Sequence, residues 1–466
     1  MNPMSQNMLA QSEYLLQPEQ LMRADGPVSG WAVVVSGGRF TYVGPADEAR
    51  AAHPHLTPEV LPDTLLMPGM IDAHTHLTQS LGKALAFGEP SEIFRRIWVP
   101  MEGALGPEAA YVSAKLAALE ALRGGFTTVV DAGTRSAHGL ASVAQAARDV
   151  GIRCVLGIIC NDLHHPLGEQ AFAQLSADAQ AHLARHEHDP LVHGSLAVSI
   201  PEVASDRMLR HVAALAREAG VSFQTHANEH LVAVERSLVA RGQRPIELLA
   251  ACDALNPSTL LAHATLLTPR ELLQVRESGA AVAYNPVASQ WKGNAVLDAV
   301  MLHAQGVPMA LGTDGTRYDA FRLLDAAEAT QRLTHGLARG DSSCGGGWMW
   351  LDHATHLGAR AIGLGHLTGE IAAGKAADFL LVDLNVPELA PSWDVSWELV
   401  RLADRSQIQA VVVAGALRLW QGWPTDWDAR ALLSEVRRMA RDDITRAPIQ
   451  RVHPLADAHR RGWDRL

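Results

Sequence analysis

Between residues 66 and 312 short apolar runs alternate with longer Ala-, Leu- and Arg-rich stretches whose apolar residues recur at helical spacing, the pattern of repeated βα units. The runs fall at 66–72, 127–131, 153–159, 191–199, 222–226, 259–263, 280–284 and 307–312. Eight such units predict an α/β fold, a closed (β/α)8 or TIM barrel. Two of the intervening helices have clear ends: 107–122 opens at Gly106-Pro107 and stops at Gly124-Gly125, and 206–219 closes on Gly220. Outside the barrel the period changes. Residues 31–45 read as two strands around Ser36-Gly-Gly, and 379–382 and 408–420 read as further strands, with Gly415-Ala416 in the second turn. None of these stretches can bury a face alone, so both chain ends are expected to meet in one small β-sandwich. The predicted organisation is 1–66 and 366–424 for the sandwich, 67–365 for the barrel and 425–466 for a partly helical tail packed on the surface.

Composition narrows the class. With 48% hydrophobic and 19% charged residues the chain matches a soluble globular enzyme with a large core. A net charge of −11, without a basic stripe, argues against nucleic acid or an anionic membrane as partner. The pairs Arg95-Arg96, Arg437-Arg438 and Arg460-Arg461 read as isolated and solvated. No apolar run reaches membrane-span length, and residues 1–12 lack the pattern of an export signal, so the cytoplasm is the expected compartment. Cys154, Cys160, Cys252 and Cys344 are scattered without a CxxC, which implies neither a thiolate zinc site nor a disulfide framework.

The candidate chemistry sits at the ends of the strand-like runs. His74-Thr-His76 follows Pro68-Gly69-Met-Ile-Asp-Ala, and two histidines one residue apart at a strand end point the same way. Later runs end in His226, in His263 and in Gly312-Thr-Asp314-Gly. In a parallel barrel all strand C-termini face one mouth, so these residues would converge there.

HxH after Pro-Gly, His226 with Glu229 in HxxE, His263 and Gly312-Thr-Asp314-Gly together resemble the amidohydrolase superfamily. More narrowly they resemble its mononuclear aminohydrolases, which include guanine, 8-oxoguanine, cytosine and adenosine-type deaminases and triazine hydrolases. The segment from Gly369 through Asp378 to Asp383 is similar to the family's closing segment. The resemblance implies one divalent ion, Zn²⁺ first with Fe²⁺ or Mn²⁺ as alternatives, held by His74, His76, His226 and Asp314 with an open position for water. It also implies that His263 hydrogen-bonds the attacking hydroxide, that Asp314 accepts the water's proton, and that Glu229 relays a proton to a ring nitrogen and then to the departing amine. Residues alone leave Glu229 a second reading, a carboxylate at a helix start. A second ion is disfavoured because the fourth run carries no lysine, and Glu202 behind Pro201 reads as a helix opener.

Other metal signatures fail. There is no P-C-x-x-C pair, and His186-Glu-His-Asp-Pro190 lacks the second histidine of HExxH. His164-His165 and His353-Ala-Thr-His356 read as surface or helix-face residues. The expected activity is hydrolytic deamination of an aminated purine, pyrimidine, pterin or triazine by a homodimer or larger homo-oligomer. Hydrolysis of another C–N or a C–Cl bond, and a silent scaffold of the same fold, are the alternatives. Gln79 resembles a ring-contacting glutamine of guanine-type deaminases, and Trp98 an aromatic that stacks on a planar ring, with a core anchor as its other reading. The run Tyr284-Asn-Pro-Val-Ala-Ser-Gln290 departs from the family's usual His-Asn/Cys-Pro-x-Ser-Asn.

Overall fold

The computed structural model describes residues 3–89, 92–342 and 344–453. Eight parallel strands follow one another around a barrel: β1 (Met70–Thr75), β2 (Phe126–Asp131), β3 (Arg153–Ile159), β4 (Val192–Val198), β5 (Phe223–Ala227), β6 (Thr259–His263), β7 (Ala281–Tyr284) and β8 (Met309–Leu311). β1 and β2 are buried at every position, because a parallel strand in a helix-wrapped barrel has no solvent face. The TIM barrel expected from the eight runs is the fold of this chain.

The seam between β1 and β8 is closed by side chains as well as backbone. The Asp314 N–H donates to the His74 carbonyl at 2.9 Å. Buried Asp72 accepts the Thr313 N–H at 2.9 Å and the Thr313 hydroxyl at 2.5 Å. Burial raises the Asp72 carboxyl to about 7 despite these hydrogen bonds.

The run at 66–72, expected to be one strand, is two. Pro58–Pro68 belongs to the outer sheet and β1 starts at Met70. Gly69 is the switch: its N–H donates to the Asp378 carbonyl at 3.0 Å, while a Cβ there would lie 2.2 Å from the Thr127 side chain. Apolar content runs unbroken through both elements, so hydrophobicity alone does not mark the boundary.

The second sheet is mixed and nine-stranded, drawn from both chain ends. Its middle is Pro58–Pro68, flanked by Glu13–Arg23 on one side and Phe379–Asp383 on the other. Trp31–Ser36 and Arg39–Pro45 form the expected hairpin, whereas Glu13–Arg23 and Gly26–Ser29 lie outside the stretch read as strand from the sequence. Glu and Gln interrupt the alternation in Glu13–Arg23, which masks its buried positions. The hairpin of Ile408–Val413 and Ala416–Trp420 turns at Ala414-Gly415, both left-handed, one residue earlier than Gly415-Ala416. The sheet encloses its own core, in which Tyr14, Phe40, Leu66 and Phe379 pack together. Arg153, at the start of β3, clamps Asp378 through Nε (3.0 Å) and Nη2 (3.2 Å), tying the barrel's N-terminal end to this sheet.

Helices Pro107–Arg123 and Asp206–Ala219 match their expected spans closely. In the tail, helix Ala429–Asp442 packs on Pro107–Arg123; residues 454–466, part of the predicted tail, lie outside the described residues. Among the described residues no helix is long and apolar enough to cross a membrane.

Candidate active site

The strand C-termini deliver the expected residues to one place. His74 lies in β1, His76 just beyond it, His226 in β5, His263 at the end of β6 and Asp314 three residues after β8. One ligand atom from each of His74, His76, His226 and Asp314 can be chosen so that all four lie within 4.8 Å of one another. Asp314 Oδ1 is 3.3 Å from His74 Nε2 and 3.5 Å from His76 Nε2. His226 and His76 bring their Nε2 atoms to 3.3 Å. His226 Nδ1 donates to the Ser199 carbonyl at 2.8 Å, so its Nε2 carries a lone pair into the cluster. His74 Nε2 is buried and has no hydrogen-bond partner.

A divalent cation satisfies these donors together. Burial holds His74 down at about 4, against the raising influence of the Asp314 carboxylate beside it. His226 is held well below its ordinary value by burial, reinforced by His74 and His76. Both rings are therefore neutral at pH 7, the state that ligates metal. Burial would raise the Asp314 carboxyl, but the neighbouring Lys292 charge and the adjacent His74 and His76 imidazoles hold it well below its ordinary value. The backbone is shaped for this site: His263 (φ 75°) and Asp314 (φ 56°) sit in the left-handed region that side chains rarely adopt. Gly312 completes the fit, since a Cβ there would stand 2.2 Å from Asn285 Oδ1 and 3.0 Å from the His74 Cβ.

A second group, Glu229, His263 and Asp314, borders the first. His263 Nε2 is 3.9 Å from Glu229 Oε2. Asn285 Nδ2 approaches His263 Nδ1 at 3.2 Å; with the amide donating, the imidazole proton belongs on Nε2. Gln79 and Trp98 line the cavity that opens over His76, His226 and Asp314. Gln79 Nε2 reaches Glu102 Oε1 at 3.5 Å, and Trp98, 7% exposed, ends the π-helical turn Phe94–Trp98.

Residues 65–418 match the Amidohydrolase family. The chain belongs to the amidohydrolase family. It is a hydrolase of carbon–nitrogen bonds other than peptide bonds, and members of this family bind a divalent metal. A 5-methylthioadenosine/S-adenosylhomocysteine deaminase of Moorella thermoacetica is 29% identical over 430 residues, 91% of this chain and 98% of the relative. An adenosine deaminase of Xanthomonas campestris, solved with bound zinc, is 27% identical with a TM-score of 0.84, covering 93% of this chain and 98% of that one. An atrazine chlorohydrolase of Arthrobacter aurescens, solved with zinc, shares the fold at 19% identity and a TM-score of 0.79, covering 92% of this chain and all of the other (100%).

Within this amidohydrolase the structure adds a residue that motif reading passed over. Lys292 ends the helix Pro286–Lys292 after β7 and places Nζ 2.8 Å from Glu229 Oε1 and 2.5 Å from Asp314 Oδ2. The two carboxylates raise its ammonium above the ordinary value although burial alone would lower it. A sequence signal exists: the chain has only four lysines (Lys83, Lys115, Lys292 and Lys375) in a background of arginine. A compact ammonium fits between two carboxylates where a planar guanidinium does not. Lys292→Met should lower turnover by about 10²-fold, the low end of what disturbing a positioned acid–base group costs. Lys292→Arg should fail to restore it; wild-type kinetics in either variant would make Lys292 a bystander.

The other histidine pairs do different work. His353 is buried, not on the surface, with Nδ1 donating to the Met309 carbonyl at 2.9 Å and Nε2 3.0 Å from His303 Nδ1. Among the described residues neither it nor His164-His165 joins a group able to hold a metal. Glu202 lies in the short 3-10 turn Pro201–Val203 and pairs with Arg236 at 2.7 Å. Arg96 is not a solvated charge but an ion-pair partner of Glu89 at 2.9 Å.

Proposed function

We propose that this chain is a metal-dependent aminohydrolase that releases ammonia from an aminated nitrogen heterocycle. The observation that carries this is the pairing of a four-donor cluster with a second acid–imidazole set, Glu229 and His263, on the same carboxylate, Asp314. Bound there, a divalent cation supplies a water activated near neutral pH, since such ions lower the pKa of water to about 7. Asp314 accepts that water's proton, and Lys292 holds the carboxylate in place. His263 directs its Nε2 proton at the tetrahedral carbon's oxygen. Glu229, anchored at Oε1 by Lys292 and Asn294, rests as a carboxylate, so its Oε2 would take one of the water's two protons and pass it to a ring nitrogen, while the other leaves with the amine as ammonia by way of Asp314. Trp98 and Phe94 offer flat surfaces for a planar ring.

Zinc is the first candidate ion, supported by the ligand types and by the zinc in the Xanthomonas relative. Purine nucleosides are the first candidate substrates, supported by the names of the deaminase relatives. The reading carries with it a cytoplasmic homo-oligomer, to be measured by light scattering. The deciding experiment is ammonia release by the purified protein across 5-methylthioadenosine, S-adenosylhomocysteine, adenosine, free purines, pyrimidines, pterins and aminotriazines. Release of chloride or an alkylamine, with no ammonia from any of them, would replace the deaminase reading.

Gln79 is the proposed ring-edge contact. Its side chain is buried at the cavity wall and, among the described residues, its amide nitrogen makes a long contact to Glu102, so the amide can turn a donor or acceptor toward a substrate. Gln79→Ala should cost about 1–3 kcal/mol in kcat/KM on the best substrate, the value of a buried hydrogen bond left unmade. Metal content should not change. Unaltered kinetics would return Gln79 to a purely structural role.

A further inference from the structure

Glu89 stands on the wall of the cavity, near Phe94 and Trp98, with its side chain wholly shielded from solvent. Three of its partners come from the far end of the chain. Arg451 Nε donates to Oε1 at 3.1 Å, the Val452 N–H to Oε2 at 2.8 Å and the His453 N–H to Oε1 at 3.2 Å. The fourth, Arg96, donates to Oε2 at 2.9 Å and is itself fixed to the same segment. Its Nη1 donates to the Gln450 carbonyl at 2.8 Å, and the Gln450 N–H donates to the Arg96 carbonyl at 2.9 Å. Upstream, buried Ile444 packs beside Gly82, close to Met101, on the same excursion between β1 and β2.

A carboxylate in such a place needs compensation, because burying an ionised group without partners is costly. Burial would raise Glu89; Arg96 and the two N–H groups, with Arg451, instead lower it to about 2. Arg96 is seven residues away, and the other three donors arrive across more than 350 residues of sequence. The hydrogen bonds of the clamp join Glu89, Arg96 and residues 450–453, and Glu89 lines the cavity, so its effect falls on the pocket wall.

We propose that residues 450–453 are part of the substrate pocket's architecture, and that Glu89 is the positioning residue through which they hold the Phe94–Trp98 turn in place. The assignment of that pocket to a ring substrate rests on the function proposed above. The tail is then a determinant of substrate affinity.

The test uses the full chain with Arg451→Ala, Glu89→Gln and Arg451→Lys, read three ways. Hydrogen exchange over residues 92–98 should quicken in Arg451→Ala and Glu89→Gln, with part of the protection restored in Arg451→Lys. Ion content should match wild type. On the best substrate of the ammonia screen KM should rise about tenfold, the scale of a lost charged hydrogen bond, with kcat within about twofold. Arg451 is partly exposed, so its truncation tests the clamp even if Glu89→Gln fails to fold. Unchanged exchange over 92–98 in Arg451→Ala would overturn the proposal, as would faster exchange with an unmoved KM. The exchange measurement needs no substrate, so a wild-type protein that releases no ammonia would sink the deaminase reading and leave the clamp to be judged separately.

Discussion

Glu229→Gln is expected to lose turnover by about 10²–10⁴-fold while keeping its metal, the range typical of removing a positioned acid–base group. The geometry makes this substitution unusually clean. Oε1 accepts from Lys292 at 2.8 Å and from Asn294 at 3.3 Å, and an amide oxygen can take over both bonds. Oε2, 3.9 Å from His263 Nε2, is the atom whose proton-carrying ability disappears. The volume is conserved and Glu229 is not among the four metal-ligand candidates. Burial alone would raise the Glu229 carboxyl, but the Lys292 and His263 neighbours hold it well below the ordinary range. In the resting protein it is therefore an acceptor, ready to take a proton before it gives one. Elemental analysis beside steady-state kinetics checks the prediction. An active Glu229→Gln would reduce Glu229 to the counter-ion of Lys292, and loss of the metal would mean that it supports the cluster.

The site was readable in the sequence because a barrel turns chain order into spatial order. Each of His74, His226, His263 and Asp314 ends or follows an apolar run, and parallel strands leave those ends no other place to go. The barrel strands were legible for the same reason, since buried parallel strands are nearly continuous apolar runs. Boundaries were less so. Pro58–Pro68 and β1 share one hydrophobic stretch, and only the close approach of Gly69 to Thr127 separates them. Glu13–Arg23 was invisible because its half-buried Gln17 and Gln20 and its exposed Glu19 break the alternation that marks a strand.

What stayed hidden depends on contacts between distant segments. Lys292 sits in the run after β7 that departs from the family pattern, and no local motif says that its ammonium reaches both Glu229 and Asp314. The Glu89 clamp joins an ordinary glutamate to an Arg- and Asp-rich tail, whose composition does not say which arginine meets which carboxylate. Both are charge-pairing solutions to burial, and burial of a particular carboxylate is a tertiary property that periodicity does not encode.

His76→Ala is the complementary prediction: it should empty the site and abolish turnover together. The imidazole faces Asp314 Oδ1 at 3.5 Å and His226 Nε2 at 3.3 Å, so its loss removes a donor from the middle of the four. Changes one shell away from a metal typically cost 10–100-fold in affinity, and removing a ligand itself should cost more. Ion content should fall from about one per chain to a small fraction of that, and added zinc at micromolar concentration should not restore ammonia release. Stability gives a second readout. Metal at about 100 times its dissociation constant adds about 2.7 kcal/mol to the folded state. Chelator should therefore lower the unfolding temperature of wild type and of Glu229→Gln but leave that of His76→Ala where it is. A His76→Ala protein that retains one ion and still responds to chelator would take His76 out of the ligand set. Two tightly held ions in wild type would overturn the mononuclear reading, and the ligands of the second would then have to be sought around Glu229, His263 and Asp314.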